Sequence, residues 1–236
     1  MHVLDNPAWH ALIGTHATLA QRALYAARYD PEVAGFGAIP DLPQPAAWEG
    51  LAEIVGAGAT TFLARRELEV PPDWTTHRVV PCRQMVLADP SGTAPPDDRR
   101  FATGETLVTL VTLTASDVPD MLALIGRTRP GPFLRRTIEM GTYLGVRRDG
   151  TLIAMAGERL RPAGFSEISA VCTDLAYRGS GLASQLVLAL IDGIRARGET
   201  PFLHLTTENE PAHRIYRALG FETRTLFDIV GVQAPA

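Results

Sequence analysis

Hydrophobic and polar positions alternate regularly in the second half of the chain and less regularly in the first. Leu107–Leu113, Thr142–Arg148, Thr151–Gly157, Phe165–Thr173, Phe202–Thr206 and Phe221–Val232 are runs rich in β-formers and read as strands. Asp149-Gly150 joins two of them as a hairpin signal, because both central residues tolerate positive φ. Between the first two strands, Val118, Met121, Leu122 and Ile125 share a helical face behind a Ser116 or Asp117 cap. Arg129-Pro-Gly-Pro132 breaks that helix, and Phe133–Met140 reads as helix again. Ala183, Leu186, Val187, Leu190, Ile191 and Ile194 recur at the 3.6-residue period and predict a helix from about Leu182 to Arg197, stopped by Gly198. Glu210–Leu219 is a last helix behind an Asn209 cap, with Pro211 in its first turn. The order β-α-α-β-β-β-α-β-α-β is a mixed α/β class. Phe165–Thr173 and Phe202–Thr206 are parallel, because a helix lies between them.

A Pro-, Gly- and Asp-rich break at 89–98 divides the chain near residue 104, predicting an N-terminal unit 1–104 and a C-terminal unit 105–236. The first is a smaller α+β unit with a helix at Ala46–Val55 and strands at Thr60–Leu63 and Arg78–Leu87. Its Trp9, Trp48 and Trp74 supply apolar area to a small core or line a pocket. Gly56-Ala-Gly58 follows a helix and is a turn.

Composition narrows the classes of function. The 236 residues are 46% hydrophobic and 20% charged, as in globular proteins. A net charge of −4 offers no basic field for nucleic acid. Two cysteines, Cys82 and Cys172, make no disulfide framework. No signal-like N-terminus and no bilayer-length apolar run are present, so the expectation is a cytoplasmic protein without membrane association.

The chemistry concentrates in Val171-Cys-Thr-Asp-Leu-Ala-Tyr-Arg-Gly-Ser-Gly-Leu-Ala183, a strand entering a glycine elbow that opens a helix. Free amides at a helix N-terminus and glycines that admit close approach make an anion site. A Walker loop is excluded, since Leu182-Ala183 stand where Lys-Ser/Thr is required. A dinucleotide fingerprint fits poorly, since Ser184 stands at its third small position and Glu199 precedes the next strand. Taken alone, the elbow also fits an ordinary β-to-α turn.

The downstream segment Asn209-Glu-Pro-Ala212-His-Arg-Ile-Tyr216-Arg-Ala-Leu-Gly220-Phe221 changes that balance. With it, the chain resembles the GNAT superfamily of acyl-CoA-dependent N-acyltransferases over roughly residues 105–232. Arg178-Gly-Ser-Gly181-Leu-Ala183 matches the family's Gln/Arg-x-x-Gly-x-Gly/Ala signature, and residues 209–221 match its Asn-x-x-Ala-x-x-x-Tyr-x-x-x-Gly-Phe pattern. More narrowly, it looks like the branch with glycine N-acyltransferase C-terminal domains, its N-terminal half a divergent copy without an elbow.

The resemblance implies acetyl-CoA or a related acyl-CoA in the gap between the two parallel strands. Its pantetheine arm pairs with backbone at Val171 and Thr173, around Cys172. Arg178, Gly179, Ser180, Gly181, Leu182 and Ala183 form the pyrophosphate loop. Asn209 bonds the pantetheine, and Ala212 and Tyr216 share the cofactor-facing side of their helix. Tyr216 is implied as the acid near the sulfur, and Glu167 as the base, unless a water relay replaces it. The expected acceptor is a small-molecule amine or amino acid, bordered by the Thr128–Phe133 turn, in a monomer or homodimer. A non-catalytic acyl-CoA sensor is the alternative.

Other polar residues carry less. Cys172 on a buried strand is expected to be inert packing. His204 and His213 lack the further ligands a metal needs, so no metal is expected. Arg135-Arg136 and Arg147-Arg148 are solvated charge, or one meets an acidic group of the acceptor.

Overall fold

The computed structural model describes residues 2–88 and 109–236. In chain order these hold helix α1 (Pro7–Leu12), strands β1 (Ala20–Ala23), β2 (Ala26–Tyr29) and β3 (Phe36–Ala38), helix α2 (Pro45–Val55), and strands β4 (Thr60–Ala64) and β5 (Thr75–Leu87). After the break come β6 (Leu110–Thr112), α3 (Val118–Thr128), β7 (Tyr143–Arg148), β8 (Thr151–Glu158), β9 (Phe165–Thr173), α4 (Leu182–Ala196), β10 (Thr200–Thr206), α5 (Glu210–Ala218) and β11 (Phe221–Gln233). The second half has the expected mixed α/β order but for the second of the two helices expected before β7.

All these strands join one 11-stranded sheet, ordered β1-β2-β3-β4-β11-β5-β10-β9-β8-β7-β6. The order is nearly palindromic. A parallel crossover, β3-α2-β4, lies on one side, and a second, β9-α4-β10, on the other. Between them the long strands are exchanged: β5 pairs with β10, and β11 pairs with β4, each antiparallel. β5 and β11 also pair with each other along nearly their whole lengths. The break at 89–98 and the boundary near 104 lie outside the described residues, but strands from both sides of it interleave in this sheet.

Packing follows the sequence periodicity. Leu186, Val187, Leu190, Ile191 and Ile194 of α4 bury against Ile168, Leu203 and Leu205, on one face of the sheet. Met121 and Leu124 of α3 pack with Phe133, Tyr143 and Cys172. Trp48 and Trp74 meet edge-on at 5.1 Å inside the N-terminal core, so the tryptophans there serve packing. The hairpin at Asp149-Gly150 has φ of 50° and 78°, as its turn chemistry requires.

One expected element is corrected. Phe133–Met140 is not an α-helix; only a 3₁₀ turn, Thr137–Met140, forms there. Tertiary bonds take over from the helical ladder: Arg136 N donates to Glu32 O, and Thr137 Oγ1 donates to Val33 O at 2.6 Å. Among the described residues no helix is long and apolar enough to cross a membrane.

Candidate active site

The two parallel strands of the second crossover share three rungs only: Thr200↔Phe165, Pro201↔Ser166 and Phe202↔Glu167. Beyond these, β10 continues along β5 from Phe202↔Val86 to Thr206↔Cys82, while β9 continues along β8. The strands therefore part, and residues 168–173 and 203–206 face each other across an unpaired gap. A bulge helps to turn β9 away. Ala170 adopts φ 53°, and the β8–β9 register shifts between Gly157↔Ser169 and Met155↔Cys172.

The glycine elbow stands at the open end of this gap. Asp174 caps the Leu175–Tyr177 turn through Oδ1 to Ala176 N (3.2 Å), and Arg127 Nε holds its other oxygen at 2.8 Å. Gly179 and Gly181 follow at φ 80° and 78°, conformations that side-chain-bearing residues rarely adopt. Gly181 is the N-cap of α4 and supplies no side-chain cap, so the first-turn amides keep their donors for a ligand. Arg178 is exposed beside them, with Nε 3.5 Å from Thr173 O. Ser180 Oγ is turned back onto Tyr177 O. Leu182 buries its side chain in the α4 core, which leaves only its backbone for the elbow.

The other expected residues divide into two groups. Val171, Thr173, Asn209, Ala212 and Tyr216 border the gap or the helix after β10. Thr173 Oγ1 is buried without a hydrogen-bond partner, an orphan that a polar ligand arm would satisfy. Asn209 Oδ1 accepts from Ala212 N at 3.2 Å. Burial pushes the Tyr216 hydroxyl up to about 12, and its ring meets Phe221 edge-on at 5.9 Å. Cys172 points its thiol into packing under α3, and burial raises its pKa, as expected of an inert cysteine.

Glu167 is different. Its side chain is fully buried and its oxygens are taken by Arg159 Nη2 (2.6 Å), Arg159 Nε (3.0 Å), His204 Nδ1 (2.7 Å) and Leu160 N (3.2 Å). Burial alone would raise its pKa, but the charges and hydrogen bonds of Arg159 and His204 outweigh it and hold the carboxyl at about 2. A carboxylate so satisfied is a poor proton acceptor. The His204 side chain is itself buried, with its Nε2 met by Gln84 Nε2 at 2.9 Å. His213 lies 3.4 Å from Glu210, and no metal-ligating cluster exists among the described residues.

Two supporting residues come from the N-terminal half. Arg83 on β5 grips Glu210 at 2.8 Å and the carbonyl of Thr207, anchoring the start of α5. Gln84 also takes Arg224 Nη1 on Oε1 at 2.7 Å and donates to Leu4 O at 2.8 Å. No local motif marks either residue, because their partners lie 80 or more positions away.

A family model for FR47-like proteins matches residues 143–227, the segment that holds the gap, the elbow and α5. A solved structure from Novosphingobium aromaticivorans, assigned to the GNAT acetyltransferases, aligns over 100% of both chains with 36% identity and a TM-score of 0.84. This chain belongs to the GNAT family. Shorter stretches are similar to N-alpha-acetyltransferase RimI of Mycobacterium tuberculosis, at 37% identity over 83 residues, 34% of this chain and 51% of that protein. Mycothiol acetyltransferase of Thermomonospora curvata matches at 34% over 96 residues, 40% of this chain and 32% of that one. The matched stretches span about half or less of these curated relatives. Membership in the family implies an acyl-CoA-dependent acyltransferase with acetyl-CoA as cosubstrate. The orphaned Thr173 Oγ1, the uncapped α4 amides and the unpaired strand edges fit such a ligand.

Proposed function

We propose that this protein is an N-acyltransferase that moves an acyl group, foremost acetyl, from acyl-CoA to a primary amine by direct attack in a ternary complex. The observation that carries the reading is the strand gap ending on an uncapped, glycine-opened helix. Backbone amides of Gly179, Gly181, Leu182 and Ala183 would hold the pyrophosphate, with Arg178 pairing to it. Val171 and Thr173 would extend the sheet onto the pantetheine arm, and Asn209 would bond it from α5. Bound acyl-CoA supplies an activated thioester.

Tyr216 then acts at the departing sulfur. A hydroxyl near 12 facing a thiol near 8.5 would lose roughly 5 kcal/mol by giving up its proton outright. Tyr216 therefore stabilises the forming thiolate chiefly as a hydrogen-bond donor. Glu167 holds Arg159 and His204 in place and takes no proton, so the amine loses its proton to water. A lysine-like amine, with pKa about 10.4, is neutral in only about one molecule per thousand at neutral pH, so turnover rises with pH.

The acceptor is small. The N-terminal half covers the sheet face opposite α4: Leu4, Tyr29 and Phe36 pack against Phe202. The segment after α3 is clamped to that half by Arg136–Asp30 at 2.9 Å and by Thr137 on Val33 O. Such a roof favours a small amine over a folded protein. It also accords with the finer assignment to the glycine N-acyltransferase-like branch and with an N-terminal unit, 1–104, that is a divergent copy of the C-terminal one, 105–236.

Thiol release from acetyl-CoA across an amine panel tests the function. Turnover on a small amine supports it, and CoA binding with no turnover on any amine points to a sensor instead. Tyr216→Phe should lower kcat about 10- to 100-fold with the CoA Kd within twofold of wild type. An unchanged kcat over the pH profile would remove Tyr216 from the mechanism.

A further inference from the structure

We infer that Arg159 reads a carboxylate on the acceptor, so that the substrate is a small amino acid and not a simple amine. This rests on the acyltransferase reading above. Arg159 follows β8 and faces Glu167 through two backbone bonds, Arg159 N to Glu167 O and Glu167 N to Leu160 O, both 2.9 Å. Its guanidinium is held twice over. Nε and Nη2 make a fork onto Glu167, and the plane lies 5.2 Å from the Phe36 ring centroid. Nη1 is left over. It has no hydrogen-bond partner and is not sealed from solvent among the described residues, and the side chain keeps 16% of its surface accessible above a Glu167 that keeps none.

The charge around it admits an anion. Glu167 and Arg159 cancel. His204 is engaged on both ring nitrogens, Nδ1 with Glu167 and Nε2 with Gln84, and brings no negative charge. Other arginines near the acceptor side are already spent: Arg147 on Asp117 and Asp120, and Arg136 on Asp30 and Glu139. Arg159 presents a rigid, partly desolvated N–H edge, the arrangement in which a charge-assisted bond is strongest.

Its position suits the chemistry. Glu167 sits on the last shared rung of β9 and β10, and Ser169, two residues on, already borders the gap. Two strand residues span about 7 Å. With its carboxylate on Nη1, the acceptor would put its amine a few carbon atoms away, at the start of the gap where the thioester would lie. Glu167 is then a positioning residue that orients Arg159.

Matched acceptors test this on the wild-type protein: an amino acid, its carboxamide and the corresponding decarboxylated amine, each followed by thiol release. The free acid should exceed the carboxamide about 10- to 100-fold in kcat/KM, mainly through KM. Arg159→Lys keeps the charge and loses the fork, and should shrink that ratio to about threefold or less. Its melting temperature establishes that it is folded; should it not fold, the wild-type ratio decides alone. Equal use of acid and carboxamide by the wild type, or an undiminished ratio in folded R159K, overturns the inference while leaving the acyltransferase reading standing. No thiol release with any acceptor would instead bring down that reading, and this inference with it.

Discussion

The two parallel crossovers share a topology and differ at their helix entrances. In β9-α4-β10 the strands part after three rungs, and Gly179 and Gly181 turn the chain into an uncapped helix. In β3-α2-β4 the corresponding entrance is Ile39-Pro-Asp-Leu-Pro-Gln44, and Pro45 occupies the first turn of α2. Side chains close that end: Arg65 donates to Pro40 O at 3.0 Å and Asp41 O at 3.1 Å, and Asn6 Nδ2 donates to Ile39 O at 2.9 Å. A β-α-β frame is therefore not by itself a phosphate site. Free amides, glycines at positive φ and unpaired strand edges have to coincide, and only the second crossover has all three.

The exchange of β5 and β11 makes the largest prediction. β5 has only β10 and β11 as neighbours, both from the other half. Residues 1–104 and 105–236 expressed separately should each fail to show a cooperative melt, and mixing them should restore one. Two independent melts would mean that the interleaving is not needed for either unit to fold.

The next effect separates the entrances. Gly181→Val places a β-branched residue at φ 78° and a side chain over the amides. CoA affinity by calorimetry should fall on the order of 100-fold or more. The N-terminal control, Gly56→Ala at φ 95° with open space around it, should leave CoA affinity within twofold and cost about 1 kcal/mol of stability. Equal losses in both variants would erase the distinction.

Acid should loosen the N-terminal half first. His16 is buried, its Nδ1 2.8 Å from the Tyr29 hydroxyl, and burial lowers its pKa from 6.5 to about 4. A depressed folded pKa means the stabilisation is present above 6.5 and is lost as pH falls towards 4, a change of about 3 kcal/mol. Glu167 has the same sign over a lower window, from 4.5 down to about 2. His16→Gln should flatten the melting temperature between pH 6.5 and 4 and leave the steeper acid loss below. A wild type equally stable across that upper window would sink the assignment.

The smallest effect concerns the closed entrance. Arg65→Met removes two bonds to carbonyls and should cost about 2 kcal/mol in denaturant unfolding. CoA stoichiometry should stay at one per chain, because α2 still lacks an elbow. A second bound CoA would show that Arg65 alone blocks that site.

Legibility in the sequence tracks locality. Phe165–Thr173 was readable to the residue, as were the Asp149-Gly150 turn and the α4 stripe, because each rests on side chains within a few positions of one another. β1, β2 and β3 were not read, being 4, 4 and 3 residues long and rich in alanine and glycine. The 133–140 segment has helical periodicity, but hydrogen bonds to residues a hundred positions earlier override it. The network around Glu167 is hidden from the sequence for the same reason. Nothing near it in sequence shows that His204 and Gln84 complete its network.

The sequence by itself determined the elbow, the helix behind it and the family, since backbone dihedrals, caps and motif spacing are short-range properties. The tertiary structure decided which crossover stays open, that β5 crosses to support α5, and that Glu167 is buried between Arg159 and His204. Those outcomes depend on burial and on pairing between segments that only the fold brings side by side, and such energies exist only once it has done so.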